Sequence, residues 1–317
     1  AEMNALKHPS EREDVGGVIA RAAASVKYAD LPSGVVSTTK ASILDTVGVI
    51  LGGSGLGQGS RDLAAMVIDE GGKGESSVFG TGVKVPCRSA ALVNGGFAHA
   101  LDYDNVFSPV RVHPSAITIP AAFAAAERAG QVSGRELIAA VALGDELAIR
   151  VGLAIFKAPA SNPNHWPGRQ WHPTLLAGYF GATVASARVL GLNEAQILNA
   201  FGITLYRTGG TLAYVKGARN LVAELYYGFP SSVGVMSALM AARGITGPNA
   251  PFEGEGGVFP AFLDANYDRD SLAVGYGRDF EVPGIETKPC RPSGPVTPTF
   301  RRRWRSPDPC AATTSKR

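Results

Sequence analysis

Apolar residues recur every three or four positions along most of the chain, which is the period of an amphipathic α-helix. Near the N-terminus, one helical face carries Val36, Ile43, Leu44, Val47, Ile50 and Leu51. The same period predicts further helices over 61–72, 133–151, 174–192 and 231–248. We therefore expect a mainly α fold.

Polar residues mark where two of these helices begin. Ser133 with Glu136, and Asn193 with Gln196, have the spacing of a capping box, in which each side chain accepts a backbone N–H of the other residue. Glycines are expected to end the helices over 61–72 and 174–192, because glycine readily adopts the left-handed conformation at a helix C-terminus.

One segment departs from the helical period. β-Branched residues surround Gly80-Thr81-Gly82 and predict a short β-hairpin over 76–86. Strands and helices do not alternate and no repeat of fixed period occurs, which argues against a Rossmann or barrel fold. We expect a large all-helical domain over 1–262, with this hairpin inside it.

The pattern changes after this domain. Residues 263–290 are predicted to begin a second, smaller unit. Residues 291–317 have many prolines, a basic cluster and no apolar period, which predicts a disordered basic tail.

The glycine-rich stretch 52–60, GGSGLGQGS, is similar to a dinucleotide-binding loop. It fails the G-x-G-x-x-G template in every register, and the preceding residues have a helical rather than a strand pattern. We interpret it as a mobile loop between helices.

Composition narrows the function classes. The chain has 317 residues, 45% of them hydrophobic and 18% charged, which favours a packed core over disorder. The net charge of +3 is concentrated at the end, because residues 1–287 contain 22 basic and 26 acidic side chains. The body is mildly acidic and does not favour nucleic acid as a partner.

The three cysteines, Cys87, Cys290 and Cys310, are too few and too scattered for a disulfide framework or a thiolate metal centre. The N-terminal residues are polar and do not resemble a signal peptide. No uninterrupted apolar run reaches ~18 residues, so we expect no membrane span and a cytoplasmic protein.

Residues 99–115, HALDYDNVFSPVRVHPS, concentrate groups that transfer protons or bind metals. If 88–102 is helical, His99 and Asp102 share a face. The prolines that follow predict a loop and then a new helix after His113, an arrangement that would bring Asp102, Asp104 and His113 together. Such a loop between helix ends suits general acid–base chemistry.

Two other interpretations of this stretch remain open. His99 on an alanine-rich face is typical of a core histidine. Two histidines with a carboxylate would suffice for zinc or iron. Neither H-x-H nor H-x-x-x-H spacing occurs, so a metal-dependent hydrolase is less favoured, and elemental analysis would distinguish it.

Two further clusters could line a pocket. In 164–174, NHWPGRQWHPT, Arg169 can bind anions and His172 precedes a predicted helix whose N-terminus would favour a neutral imidazole. Near the glycine pair in 206–220, Lys216 and Arg219 could bind carboxylates.

Three stretches resemble the MmgE/PrpD family: NGGFAHALDYDN…HPS (94–115), WHPTLLAGYFGATVASARVLGL (171–192) and ARGITGPNAPFEGEGGVF (242–259). The similarity spans roughly 14–290. The family includes 2-methylcitrate dehydratases, cis-aconitate decarboxylases and iminodisuccinate epimerases.

The resemblance implies a large helical domain, a smaller α+β lid domain and a homodimer. It also implies catalysis without metal or cofactor on small di- or tricarboxylates. The implied common step is proton transfer at a carbon beside a carboxylate. We expect a lyase of the 2-methylcitrate dehydratase type, with decarboxylation of the cis-aconitate type or epimerisation of the iminodisuccinate type as alternatives.

Matched position by position, the resemblance implies catalytic roles for Asp102, His113 and His172. Asp104 and three cations, without family support, are the substrate-binding candidates: Arg169, Lys216 and Arg219.

The chain departs from the family pattern at three places. Val106 stands where many members have threonine. Ala223 stands where many have a lysine, in a KRLHPG-like segment that is AELYYG (223–228) here, and Lys216 is a possible replacement. After Cys290 the family pattern stops, which suggests a truncated or altered C-terminus. A catalytically degenerate, dimerising helical scaffold is therefore the alternative to an enzyme.

Overall fold

The computed structural model describes residues 13–158, 171–213 and 220–288. Within these ranges the helices are α1 (Val15–Ser25), α2 (Ser33–Leu56), α3 (Ser60–Glu70), α4 (Cys87–His99), α5 (Ser115–Ala129), α6 (Gly134–Phe156), α7 (Pro173–Val189), α8 (Glu194–Leu205), α9 (Val222–Leu225), α10 (Gly228–Ala242), α11 (Val258–Leu263) and α12 (Arg269–Ala273). Two 3₁₀ turns span Tyr28–Asp30 and Val282–Gly284.

Strands β1 (Ser76–Val78) and β2 (Val83–Val85) pair antiparallel, with Ser76 opposite Val85 and Val78 opposite Val83. This confirms the predicted mainly α fold with a short β-hairpin. The helices predicted from periodicity correspond to α2, α3, α6, α7 and α10. Both capping boxes form at the starts of α6 and α8.

Helix α7 lies at the centre, against α5, α6, α8 and α10. Small residues permit this packing. A Cβ added to Gly144 on α6 would lie 2.7 Å from the carbonyl oxygen of Gly181 on α7, and the reverse substitution would meet the same limit. The two backbones therefore approach more closely than larger residues would allow.

The glycine-rich stretch 52–60 is not the mobile loop expected from its composition. Helix α2 continues through Leu56, and only 57–59 connect it to α3. A Cβ at Gly53 would overlap the backbone carbonyl of Phe97 on α4. Gly53 therefore allows α2 to pack closely against α4.

Helix α2 has a polar inner stripe, with Thr39, Ser42 and Thr46 buried, while Leu44 on its outer face is 77% exposed. By length and composition alone α2 would pass as a membrane span, contrary to the expectation that no segment is apolar enough to cross a membrane. One such helix is weak evidence, because core helices of soluble proteins pass the same test.

Residues 263–288 pack along the helical body. Arg150 on α6 donates hydrogen bonds to the carbonyl oxygens of Ser271, Val274 and Asp279 at 3.2, 2.6 and 2.6 Å. Its neighbour Glu146 accepts the backbone N–H groups at 281 and 282. Because these bonds link α6 to the segment before Lys288, they place that lysine near the end of α4. The assignment of 263–290 to an incomplete lid domain stays a prediction.

Candidate functional site

The first part of the site is the turn that follows α4. The helix ends at His99, three residues before the end expected from the pattern, and Asp102 has a φ of 56°. The backbone N–H of Asp102 donates to the carbonyl oxygen of His99 at 2.9 Å. This tight turn brings the carboxylates of Asp102 and Asp104 back toward the imidazole of His99.

Asp104 is buried between two imidazoles. Its Oδ1 lies 3.1 Å from Nδ1 of His99, within a hydrogen bond. Its Oδ2 lies 2.9 Å from Nδ1 of His113, an ion-pair distance without hydrogen-bond angles. His113 immediately precedes Pro114 and the first turn of α5. The predicted loop between two helix ends therefore does bring these groups together.

The two imidazoles stabilise the charge of Asp104. Burial alone would raise the pKa of Asp104, but the neighbouring His99 and His113 lower it well below its usual value. Burial would likewise lower the pKa of His99, but the charge and hydrogen bond of Asp104 raise it. Asp104 is therefore ionised at neutral pH and favours a protonated imidazole beside it.

His172 approaches from another helix. It is the N-cap residue of α7, and its backbone N–H donates to the carbonyl oxygen of Gly210 at 3.0 Å. Burial, followed by the charges of His99 and His113, lowers its pKa to about 3. His172 is thus neutral at physiological pH, as expected for an imidazole at a helix N-terminus.

Two adjacent tyrosines line this cluster. The hydroxyl of Tyr226 lies 3.2 Å from Nε2 of His172. The ring of Tyr227 stacks on His99 with centroids 3.9 Å apart, and its centroid is 6.0 Å from that of His113. Sequence reasoning missed both residues. The signal available was the replacement of His-Pro by Tyr-Tyr within the AELYYG segment.

Lys288 supplies a cation that sequence reasoning also missed. Its Nζ lies 3.1 Å from Oδ1 of Asp102. Asp45 on α2 faces the same charges: burial and then Asp104 raise its pKa, while Lys288 opposes that rise. The site therefore combines acidic, basic and titratable groups around one turn.

The structure thus groups four of the predicted residues: Asp102, Asp104, His113 and His172. Their roles stay predictions, although the buried position of Asp104 suits orientation of imidazoles better than contact with substrate. Arg169, Lys216 and Arg219 lie outside the described residues.

Two of the three departures from the family pattern lie within the described residues, whereas the third, after Cys290, lies outside them. Val106 exchanges backbone hydrogen bonds with Glu286, at 3.0 and 2.9 Å. Ala223 lies in α9, one turn before Tyr226. Neither Val106 nor Ala223 has a polar side chain.

Three ligand atoms could hold a metal ion. Those of His99, Asp102 and Asp104 all lie within 4.8 Å of one another. In this arrangement Asp104 already faces two imidazoles and Asp102 faces the ammonium of Lys288. A positive side chain beside the ligands disfavours a second cation, so proton transfer fits the donor set better than metal binding.

The sequence is similar to those of several known proteins. The chain is 28% identical over 275 residues to a cis-aconitate decarboxylase-like protein of Aspergillus oryzae, covering 83% of this chain and 55% of that protein. It is 27% identical over 258 residues to a cis-aconitate decarboxylase of Aspergillus terreus, covering 78% and 51%. It is 30% identical over 252 residues to the human cis-aconitate decarboxylase, covering 76% and 48%.

The chain thus spans about half the length of these curated relatives. The model of the MmgE/PrpD N-terminal domain matches residues 17–270, which is most of the chain and includes every described histidine of the site. On this evidence the chain belongs to the MmgE/PrpD family.

Proposed function

We propose that this chain carries the acid–base centre of a cofactor-independent lyase that acts on a small tricarboxylate. The main support for this proposal is the position of Asp104. Its side chain is buried, and its two oxygens lie 3.1 and 2.9 Å from the Nδ1 atoms of His99 and His113. A carboxylate at Nδ1 fixes the imidazole and leaves the opposite ring nitrogen to exchange a proton.

The relatives favour decarboxylation of the cis-aconitate type as the first reaction to test. The bond to one carboxylate breaks, carbon dioxide leaves, and the electron pair stays on the substrate. An imidazolium of the His99–Asp104–His113 group supplies the proton that this electron pair takes. That group then regains its proton from water.

The remaining carboxylates of such a substrate need positive partners. Among the residues that the structure describes, Lys288 is a cation beside the histidines, and its charge would favour binding of the substrate anion. Arg169, Lys216 and Arg219 are kept as further candidates. His172, being neutral, suits a hydrogen bond to substrate better than removal of a proton.

The experiment is incubation of the purified chain with cis-aconitate, 2-methylcitrate, citrate and iminodisuccinate. Products are followed by proton NMR and released carbon dioxide is measured. Carbon dioxide from cis-aconitate supports the decarboxylase, whereas water loss from 2-methylcitrate supports the dehydratase that the sequence first suggested. Inversion of iminodisuccinate supports the epimerase.

His113→Gln tests the site itself. It should abolish whichever activity is found, because Gln cannot exchange a proton at neutral pH. Full activity of this variant would contradict the proposal.

The alternative is a catalytically degenerate helical scaffold. Val106 and Ala223 favour it, because each lacks a polar side chain that many family members have at that position. A folded chain that turns over none of the four substrates would support this alternative. Homodimerisation and a cytoplasmic location stay predictions, and sedimentation velocity is the direct test of the former.

A further inference from the structure

Tyr226 lies where the histidines of the site meet. Its ring packs edge-on against His172 and His99, with centroids 5.5 and 5.3 Å apart. Tyr226 and His172 are only 6% and 5% exposed, so water does not compete strongly for the 3.2 Å contact between the hydroxyl and Nε2.

The contact between the two groups is compatible with either direction of donation, and their chemistry favours the phenol as donor. A neutral imidazole has one N–H and one unprotonated nitrogen that accepts a hydrogen bond. A buried phenol normally donates its O–H to such an acceptor. Because His172 lies at the positive N-terminal end of α7 and faces two histidines paired with Asp104, its neutral form is favoured. With the phenol as donor, Nε2 is the unprotonated nitrogen and Nδ1 carries the proton.

We propose that Tyr226 is a positioning residue whose hydroxyl donates to Nε2 of His172 and so fixes the Nδ1–H tautomer and the ring plane of that imidazole. No bond breaks in this arrangement, since the phenol keeps its proton. The consequence for catalysis rests on the proposed function. His172 acts as a neutral hydrogen-bond donor to the substrate through Nδ1, and proton exchange belongs to the histidines at Asp104.

The test reads the tautomer directly. Protein labelled with ¹⁵N in the histidine rings is studied at pH 7 by long-range proton–nitrogen correlation NMR, and His172→Gln identifies the signals of His172. We expect a protonated Nδ1 and an unprotonated, hydrogen-bonded Nε2. A proton on Nε2, or a charged ring, would overturn the proposal.

Tyr226→Phe removes only the hydroxyl and should shift the Nε2 signal and mix the two tautomers. Tyr179→Phe is the matched control, because Tyr179 is another buried tyrosine, on α7 itself. It should leave both ring signals of His172 unchanged. Unchanged signals in a folded Tyr226→Phe protein would also contradict the proposal. If that variant fails to fold, the tautomer of the unmodified protein decides.

Kinetics separate this inference from the proposed function. With an active substrate, Tyr226→Phe should lower kcat by about tenfold or more with little change in KM, since a misplaced donor affects the transition state most. If no substrate is turned over, the proposed function fails while the NMR result still tests the role of Tyr226.

Discussion

Nζ of Lys288 lies 3.1 Å from Oδ1 of Asp102 and 3.2 Å from the carbonyl oxygen of the same residue. The two residues are 186 positions apart, and bonds from Arg150 and Glu146 hold the intervening segment against α6. The Lys288 side chain is 12% exposed and that of Asp102 is 28% exposed. The pair places the positive charge of Lys288 beside the histidines, where it opposes the rise in the pKa of His99.

Lys288→Gln should therefore weaken substrate binding. A hydrogen bond to a charged group contributes about 1.5–3 kcal/mol, which corresponds to roughly a 10- to 100-fold rise in KM with a smaller change in kcat. Steady-state kinetics with the active tricarboxylate measures both constants.

The matched control is Lys84→Gln, in the hairpin. Lys84 also faces a carboxylate, with its Nζ 3.9 Å from Glu127, but its side chain is 54% exposed. This variant should keep the original KM. If both variants behave alike, Lys288 does not bind substrate.

Asp104→Asn should abolish catalysis while leaving a folded protein. The amide keeps the shape of the side chain but removes the charge that favours imidazolium at His99. An equivalent change beside a catalytic histidine costs about 10⁴-fold in kcat. Measured turnover within tenfold of the original would contradict the assignment of Asp104 as the group that orients the imidazoles.

The ion pair between Asp104 and His99 predicts a pH range in which it stabilises the fold. The lowered pKa of Asp104 stabilises the fold above its unfolded pKa near 4 and loses this effect on acidification. The raised pKa of His99 stabilises the fold below its unfolded pKa near 6.5 and loses this effect as pH rises through the folded pKa. Both effects are present together between about pH 4 and 6.5.

Asp104→Asn should therefore lower the free energy of unfolding most near pH 5.5 and less at pH 9, as measured by urea denaturation. Asp69→Asn, at an exposed position on α3, is the control and should show no such window. A loss of stability that is constant from pH 5 to 9 would exclude the charge-pair explanation.

The sequence allowed prediction of contacts that are local in the chain. Helical period and capping spacing predicted most helices, and one short loop connects Asp104 to His113, so their meeting follows from the positions of the prolines. His172 was placed at a helix N-terminus because a small-residue helix follows it. These predictions depend on local backbone preferences, which a single sequence carries.

Long-range contacts were not predictable in this way. Lys288 reaches Asp102 because α6 binds the backbone of a segment that is distant in the chain. Hydrogen bonds to backbone groups do not depend on residue type, so the sequence pattern does not reveal them. Tyr226 and Tyr227 are not part of a hydrophobic repeat, so the sequence pattern does not indicate that they contact the histidines. The prediction of a mobile loop over 52–60 was wrong because glycine favours both flexibility and close packing. Only the position of α4 distinguishes the two at Gly53.

Gly53→Ala tests that packing. The added methyl group would overlap the backbone of Phe97, which cannot move as a flexible side chain would. We expect a loss of about 1–3 kcal/mol in the free energy of unfolding, the range for overpacked cores. Gly48→Ala in the same helix meets no atom within 4 Å and should instead stabilise by about 0.5–1 kcal/mol. Equal effects in thermal unfolding would show that helix propensity alone matters at both positions.

Asp145 should make the fold less stable as pH rises. It is buried beneath α5 and accepts hydrogen bonds from Ser115, at 2.6 Å, and Thr118. Burial raises its pKa to about 7, although the two hydroxyl groups oppose that rise. The unfolded carboxyl ionises near pH 4, so between about pH 4 and 7 the folded state holds a proton that the unfolded state has lost, and stability falls with pH.

Asp145→Asn removes this titration and keeps a polar side chain for both hydroxyls. The stability of the variant relative to the original protein should increase from pH 4.5 to pH 8, by an amount on the order of 3–4 kcal/mol. Urea denaturation at the two pH values measures the change, with Asp69→Asn as the exposed control. A relative stability that does not change with pH would mean that Asp145 is ionised in the fold at pH 4.5. The two hydroxyl hydrogen bonds would then outweigh the cost of burying its charge.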